Sequence, residues 1–150
     1  MTKKHNHYLD LAFQQAESNI GQTGLNPSVG CVVVKNNTVI SSGKTSFNGR
    51  PHSEFNALNK FKDFSNSSLY TTLEPCAHYG KTAPCVNIII KKKIKKVFYA
   101  NEDPDERTFK KAKKILKLNG IKSKLIRSKN YNQSQDSRLH RMKIFILYLP

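Results

Sequence analysis

The sequence predicts an α/β protein: three layers, α/β/α, around a mixed five-stranded sheet. Two observations carry this. Short runs rich in β-branched and aromatic residues alternate with stretches whose apolar positions recur every three or four residues. Two of the runs are joined only by Asn36-Asn37, a turn too short to hold a helix. Pairing across that turn gives antiparallel neighbours, while helical crossovers give parallel ones.

Leu9, Ala12, Phe13, Ala16 and Ile20 place an apolar stripe on a first helix, which stops at Gly21-Gln22-Thr23-Gly24. Residues 29–34 read as a buried strand, and a second strand near Val39-Ile40 completes a hairpin. A loop over 42–51 leads to a helix starting at about His52, with Phe55, Leu58 and Phe61 expected to face inward. Residues 68–73 form a third strand. Pro84 suits the first position of the next helix, where its missing amide hydrogen is not needed. Val86, Ile89, Ile90 and Ile94 are that helix's expected buried face. Residues 96–100 form a fourth strand. Phe109, Ala112, Ile115 and Leu116 mark a further helix, stopped by Asn119-Gly120, and 121–126 form a fifth strand. From Ser128 the pattern fades: 130–135 is polar, then 144–149 is abruptly apolar. No internal repeat is visible.

A chain of 150 residues suits one domain, 1–127, followed by a tail, 128–150. The formal net charge of +16 admits a polyanion partner, but the lysines alternate with apolar residues at helical spacing. Solvated helix faces are therefore the favoured reading, and nucleic acid is disfavoured as a partner. The apolar runs at 86–90 and 144–149 fall short of the roughly 20 residues that span a bilayer. The first ten residues are polar with no apolar stretch behind them, unlike a secretory signal. Three cysteines do not make a disulfide framework, so reduced thiols in a cytoplasmic chain are expected.

Three segments carry chemistry: His52-Ser53-Glu54, Thr72-Leu73-Glu74-Pro75-Cys76, and Pro84-Cys85. One imidazole and two thiolates suit a tetrahedral zinc with its fourth position open. A carboxylate two residues from the imidazole suits general acid/base work. Together they are equipment for attack by water on an amidine-like carbon. His52 and Glu54 fall at a helix start, Cys76 past a strand end and Cys85 in the first turn of a helix. In a layered α/β fold these positions converge at one edge of the sheet. Taken singly, a histidine before Ser-Glu would be a cap and the cysteines ordinary core. In this order and placement they read as metal ligands. Cys31, inside a strand, reads as a small buried hydrophobe.

His-x-Glu followed by Pro-Cys is the zinc-deaminase signature. The chain resembles the cytidine-deaminase-like superfamily and, within it, the pyrimidine deaminases of riboflavin biosynthesis. The matching residues are Asn26-Pro27-Ser28-Val29-Gly30, Pro51-His52-Ser53-Glu54, the run from Thr72 to Cys85, Asp103-Pro104-Asp105 and Gly120-Ile121. Eight residues separate Cys76 from Cys85, whereas tRNA-adenosine and cytidine deaminases usually place two there. The resemblance implies a cytidine-deaminase-like fold and hydrolytic deamination of 2,5-diamino-6-ribosylamino-4(3H)-pyrimidinone 5′-phosphate. It implies one zinc on His52, Cys76 and Cys85, with Glu54 as the catalytic proton carrier. It gives Asn26, His78, Lys81 and Asp103 as substrate contacts, Lys81 as a cation facing phosphate. Thr45 stands where members often carry a histidine. Many relatives continue into an NADPH-dependent reductase domain. No NADPH is expected on this chain, and its tail reads as the linker or start of such a domain. A separate reductase and a homo-oligomer stay open as partners. Two alternatives also stay open. A tRNA-adenosine or other nucleobase deaminase would show a steep salt dependence of RNA binding. An inactive zinc-stabilised interaction module would bind metal without turnover.

Overall fold

The computed structural model describes residues 3–127, so the tail expected at 128–150 lies outside the described residues. The elements run α1 (Lys3–Glu17), β1 (Gly30–Lys35), β2 (Thr38–Lys44), α2 (Ser53–Leu58), β3 (Ser68–Thr71), α3 (Cys85–Lys91), β4 (Lys96–Tyr99), α4 (Lys111–Leu118) and β5 (Lys122–Leu125). A 3-10 turn at Phe47–Gly49 sits between β2 and α2. The strand order is β2-β1-β3-β4-β5. β1 is antiparallel to both β2 and β3, while β3, β4 and β5 are parallel. The predicted mixed five-stranded α/β architecture is the observed one.

Alternation along each strand divides the core in two. Val32, Val34, Tyr70 and Phe98 meet Tyr8, Leu9 and Phe13 of α1. Cys31, Val33, Leu69, Val97 and Tyr99 point the other way, toward Ala57 and Leu58 of α2, Val86 and Ile89 of α3, and Ala112 and Leu116 of α4. Lysines 91, 93, 95, 111, 113, 114 and 117 on and around α3 and α4 are exposed, as solvated helix faces require. No helix among the described residues is long and apolar enough to cross a membrane.

Several expected details are corrected. Phe55 and Phe61 do not face inward; Phe61 is fully exposed and lies beyond the end of α2. The buried face of α2 is Ser53, Glu54, Ala57 and Leu58, and Phe64 fills the core instead. The first helix ends at Glu17 rather than near Ile20. The Ala16 carbonyl there accepts both the Ser28 hydroxyl and the Asn19 N–H, which tightens the chain into turns. Pro84 caps α3 rather than occupying its first position, and Phe109 precedes α4. Ile94 is buried but lies past the end of α3.

Two glycines let helices lie directly on the hairpin. A Cβ on Gly30 would stand 2.0 Å from the Ala12 carbonyl oxygen, and one on Gly43 would stand 2.2 Å from the Ser53 carbonyl oxygen and 2.6 Å from the Ala57 nitrogen. Those neighbours are backbone and cannot yield cheaply. Gly43→Ala is expected to cost about 1–3 kcal/mol in urea unfolding through overpacking. It should also weaken metal retention, since His52, one of the three residues that could hold the metal, caps α2. An unchanged unfolding midpoint would contradict this packing.

Candidate active site

Four chain segments meet at one end of the sheet. Residues 26–29 enter β1, 45–50 leave β2, 73–76 follow β3 and 101–105 follow β4. The parallel strands β3 and β4 present their C-terminal ends here, where open α/β sheets place their sites. A cavity of about 460 Å³ lies between these segments and includes Asn26, His52, Glu54, Cys76, His78 and Asp103 in its lining.

His52 precedes α2 in extended conformation, so its ring projects beyond the helix. Cys76 Sγ accepts the Cys85 main-chain N–H at 3.1 Å. His52 Nδ1 stands 3.6 Å from Cys76 Sγ and 3.5 Å from Cys85 Sγ, and one ligand atom from each of the three residues lies within 4.8 Å of the others. Tetrahedral zinc, with bonds of about 2.0 Å to nitrogen and about 2.3 Å to sulfur, sets its N and S ligands about 3.5 Å apart. The donor set and its spacing fit that ion. The Cys76 thiol is held well below its ordinary value by a hydrogen bond from the Cys85 thiol and by His52, despite burial. The Cys85 thiol is pushed up by the Cys76 sulfur, by burial and by Glu54.

Glu54 is buried, and burial raises its carboxyl above the usual range, with the nearby Cys76 sulfur adding to this. The Ser53 hydroxyl donates to its Oε2 at 2.9 Å, a contact the sequence gave no signal for. Cys31 is fully buried in the core with its thiol pushed up by burial, as expected of a hydrophobe.

The remaining sequence-derived contacts divide. Asn26 Nδ2 donates to the Gly49 carbonyl at 3.0 Å, which fixes the side chain, while Oδ1 has no partner among the described residues. Gly49 has φ +89° and a Cβ there would lie 2.4 Å from Asn26 Nδ2, so only glycine permits this approach. His78 and Asp103 both line the cavity, and burial raises the Asp103 carboxyl. Lys81 is exposed and does not line it. Thr45 lines it, but its hydroxyl is taken by main chain: it accepts the Val29 N–H at 2.9 Å and donates to the Pro27 carbonyl at 3.1 Å.

Three residues beyond the motif reading shape the cavity. Glu74 is buried, and its Oε2 accepts the main-chain N–H groups of Asp103 at 3.3 Å and Lys110 at 3.2 Å. Thr108, fully buried, bonds His78 Nδ1 at 2.8 Å. Arg50 lines the cavity and donates from Nη1 to Thr82 Oγ1 at 2.6 Å. A glutamate inside Leu-Glu-Pro-Cys and an arginine before Pro-His were visible in the sequence, but their partners are distant in the chain.

The sheet order, the open His-Cys-Cys triangle and the adjoining carboxylate define a zinc-binding deaminase domain. The model of the cytidine and deoxycytidylate deaminase zinc-binding region matches residues 2–101, and the chain belongs to that family. Within it, the likeness narrows to proteins of the riboflavin pathway. The chain is 41% identical over 119 residues to riboflavin biosynthesis protein RibD of Bacillus amyloliquefaciens, covering 79% of this chain and 32% of that protein. It is 37% identical over 137 residues to a diaminohydroxyphosphoribosylamino-pyrimidine deaminase of Buchnera aphidicola subsp. Acyrthosiphon pisum, covering 88% of this chain and 93% of that one. A crystal structure of a diaminohydroxyphosphoribosylaminopyrimidine deaminase/5-amino-6-(5-phosphoribosylamino)uracil reductase from Thermotoga maritima superposes with a TM-score of 0.82 at 30% identity, covering 97% of this chain and 41% of that one. The chain thus spans about a third of the RibD protein it matches and nearly all of the shorter Buchnera deaminase. The resemblance read from the motifs is borne out.

Cys76→Ala and Cys85→Ala should each lower the metal content of purified chain from about one ion to near zero. Cys31→Ala should leave it unchanged. Elemental analysis of the folded proteins checks all three, and full metal content in either ligand variant would remove that residue from the centre.

Proposed function

We propose that the chain hydrolyses the amidine C–N bond of 2,5-diamino-6-ribosylamino-4(3H)-pyrimidinone 5′-phosphate, giving 5-amino-6-ribosylaminouracil 5′-phosphate and ammonia, in a cytoplasmic riboflavin pathway. The observation that carries this is the His52, Cys76 and Cys85 triangle opening on the same cavity as the buried Glu54. The likeness to pyrimidine deaminases of that pathway supports the choice of substrate.

A zinc ion on the triangle supplies a Lewis acid that makes water nucleophilic near neutral pH. Glu54 accepts a proton from the attacking water and returns protons to the ring nitrogen and the departing amine. The C–N bond breaks, the oxygen stays on the ring as a carbonyl, and the amine leaves as ammonia. The Ser53 hydroxyl on Oε2 holds the carboxylate in one orientation during this exchange. Asn26 Oδ1 accepts from an amino group of the pyrimidine. Asp103 meets the ribose or the pyrimidine, and His78 faces the phosphoribosyl part. Lys81, exposed beside this loop, adds its charge at longer range.

Glu54→Gln keeps the volume and removes the proton carrier. The variant should retain metal but lose at least about 10²-fold in kcat, the lower bound for a general acid/base. Ammonia release from the ribotide, with zinc measured on the same sample, checks this; near-normal turnover would take Glu54 out of the reaction.

A further inference from the structure

Among the cations that line the cavity, the two arginines are unequally placed. The Arg107 guanidinium is neutralised by Asp105, with contacts of 2.9, 3.1 and 2.5 Å. Arg50 has no carboxylate partner among the described residues. Its Nη1 is tethered to Thr82, and its Nη2 has no partner there. A guanidinium fixed at one nitrogen and open at the other presents a rigid donor at little entropic cost.

That open nitrogen faces a specific gap. A Cβ placed on Gly80 would stand 3.7 Å from Arg50 Nη2 and 3.9 Å from His78 Nε2. The two nitrogens therefore border the empty space over Gly80. His78 is oriented to donate into it. Thr108 Oγ1 accepts the Ala77 N–H at 3.4 Å and lies 2.8 Å from His78 Nδ1, and we take its hydroxyl hydrogen to point at Nδ1. Nδ1 then accepts and Nε2 carries the ring proton. Two nitrogens that both border this space, one of them cationic, are the donor types that recognise phosphate.

We propose that Arg50, with His78 Nε2–H, forms the subsite for the 5′-phosphate of the substrate in the gap over Gly80, and that Arg50 rather than Lys81 supplies its principal charge. This rests on the reading of the substrate as a ribotide. Lys81 follows Gly80 in the chain and, unlike Arg50 and His78, does not line the cavity. Thr45 spends its hydroxyl on main chain and offers the anion nothing.

The test has two arms, both on the zinc-loaded chain. In the first, binding of ribose 5-phosphate and of ribose is measured by calorimetry, independently of turnover. Ribose 5-phosphate should bind more tightly than ribose, and Arg50→Gln should erase about 10- to 100-fold of that preference, the range of a charge-assisted hydrogen bond. Arg50→Lys should recover part of it, and Gly80→Ala, whose added methyl occupies the gap at ordinary contact distances, should weaken it without lowering the unfolding midpoint. In the second arm, kcat/KM is compared for the pyrimidine ribotide and its dephosphorylated riboside. The preference for the ribotide should fall by the same factor in Arg50→Gln and by less than about threefold in Lys81→Ala, an exposed pair being worth little. Equal binding of ribose 5-phosphate to the unmodified chain and Arg50→Gln, or a larger loss in Lys81→Ala, overturns the subsite. Arg50-dependent binding without deamination of the ribotide overturns the substrate reading and upholds the subsite.

Discussion

The site edge depends on one contact, between Cys76 and the first turn of α3. The Cys85 N–H reaches Cys76 Sγ, and the Val86 N–H reaches the Cys76 carbonyl at 3.3 Å. Two amides that a helix start would otherwise leave unpaired are satisfied by one residue, backbone and sulfur together. The helix can therefore begin only where Cys76 has arrived, and Cys76 can arrive only because β3 ends five residues earlier. The same contact clamps both ends of the loop 77–84. A loop pinned at both ends has few conformations to lose when a ligand settles on it.

The loop 101–110 is held by a different device. Glu74 gives its Oε2 to two amides far along the chain, while its Oε1 is buried without a partner among the described residues. Burying a carboxyl this way is costly. The return is geometric: the residue two before a metal ligand fixes the segment that brings Asp103 to the cavity and Thr108 to His78. One wall of the cavity is thereby referenced to the metal centre itself rather than to the sheet.

Much of this was legible in the sequence, and the reason is local. Strands, the Asn36-Asn37 hairpin and the Cys and His motifs are short-range patterns, so five strands and the three residues of the His-Cys-Cys triangle were readable at their positions. The face of α2 was not. Hydropathy favours Phe55 and Phe61 for burial, whereas the fold buries Ser53 and Glu54, whose value is chemical. Lys81 drew attention by lying between two cysteines, yet sequence neighbourhood does not fix where a flexible side chain points. Arg50 sits in a loop with no periodicity to betray it, and its role depends on Thr82 and Gly80, thirty residues on. Thr45 had the right address but the wrong partners, as only the hydrogen bonds to Pro27 and Val29 reveal.

The lysines that project around α3 and α4 have a consequence for traffic into this cavity. They gather positive charge on the face that these two helices cover, while carboxyl groups at 54, 74, 103 and 105 lie against the cavity itself. Long-range attraction and short-range selection are thus separated in space. A phosphorylated substrate of the kind proposed would be drawn in by the outer field, which fades over a Debye length of about 10 Å at 0.1 M salt. Once inside, it meets a mixed-sign surface that rewards only the correct alignment of its negative end. Capture should therefore slow in concentrated electrolyte well before discrimination is lost.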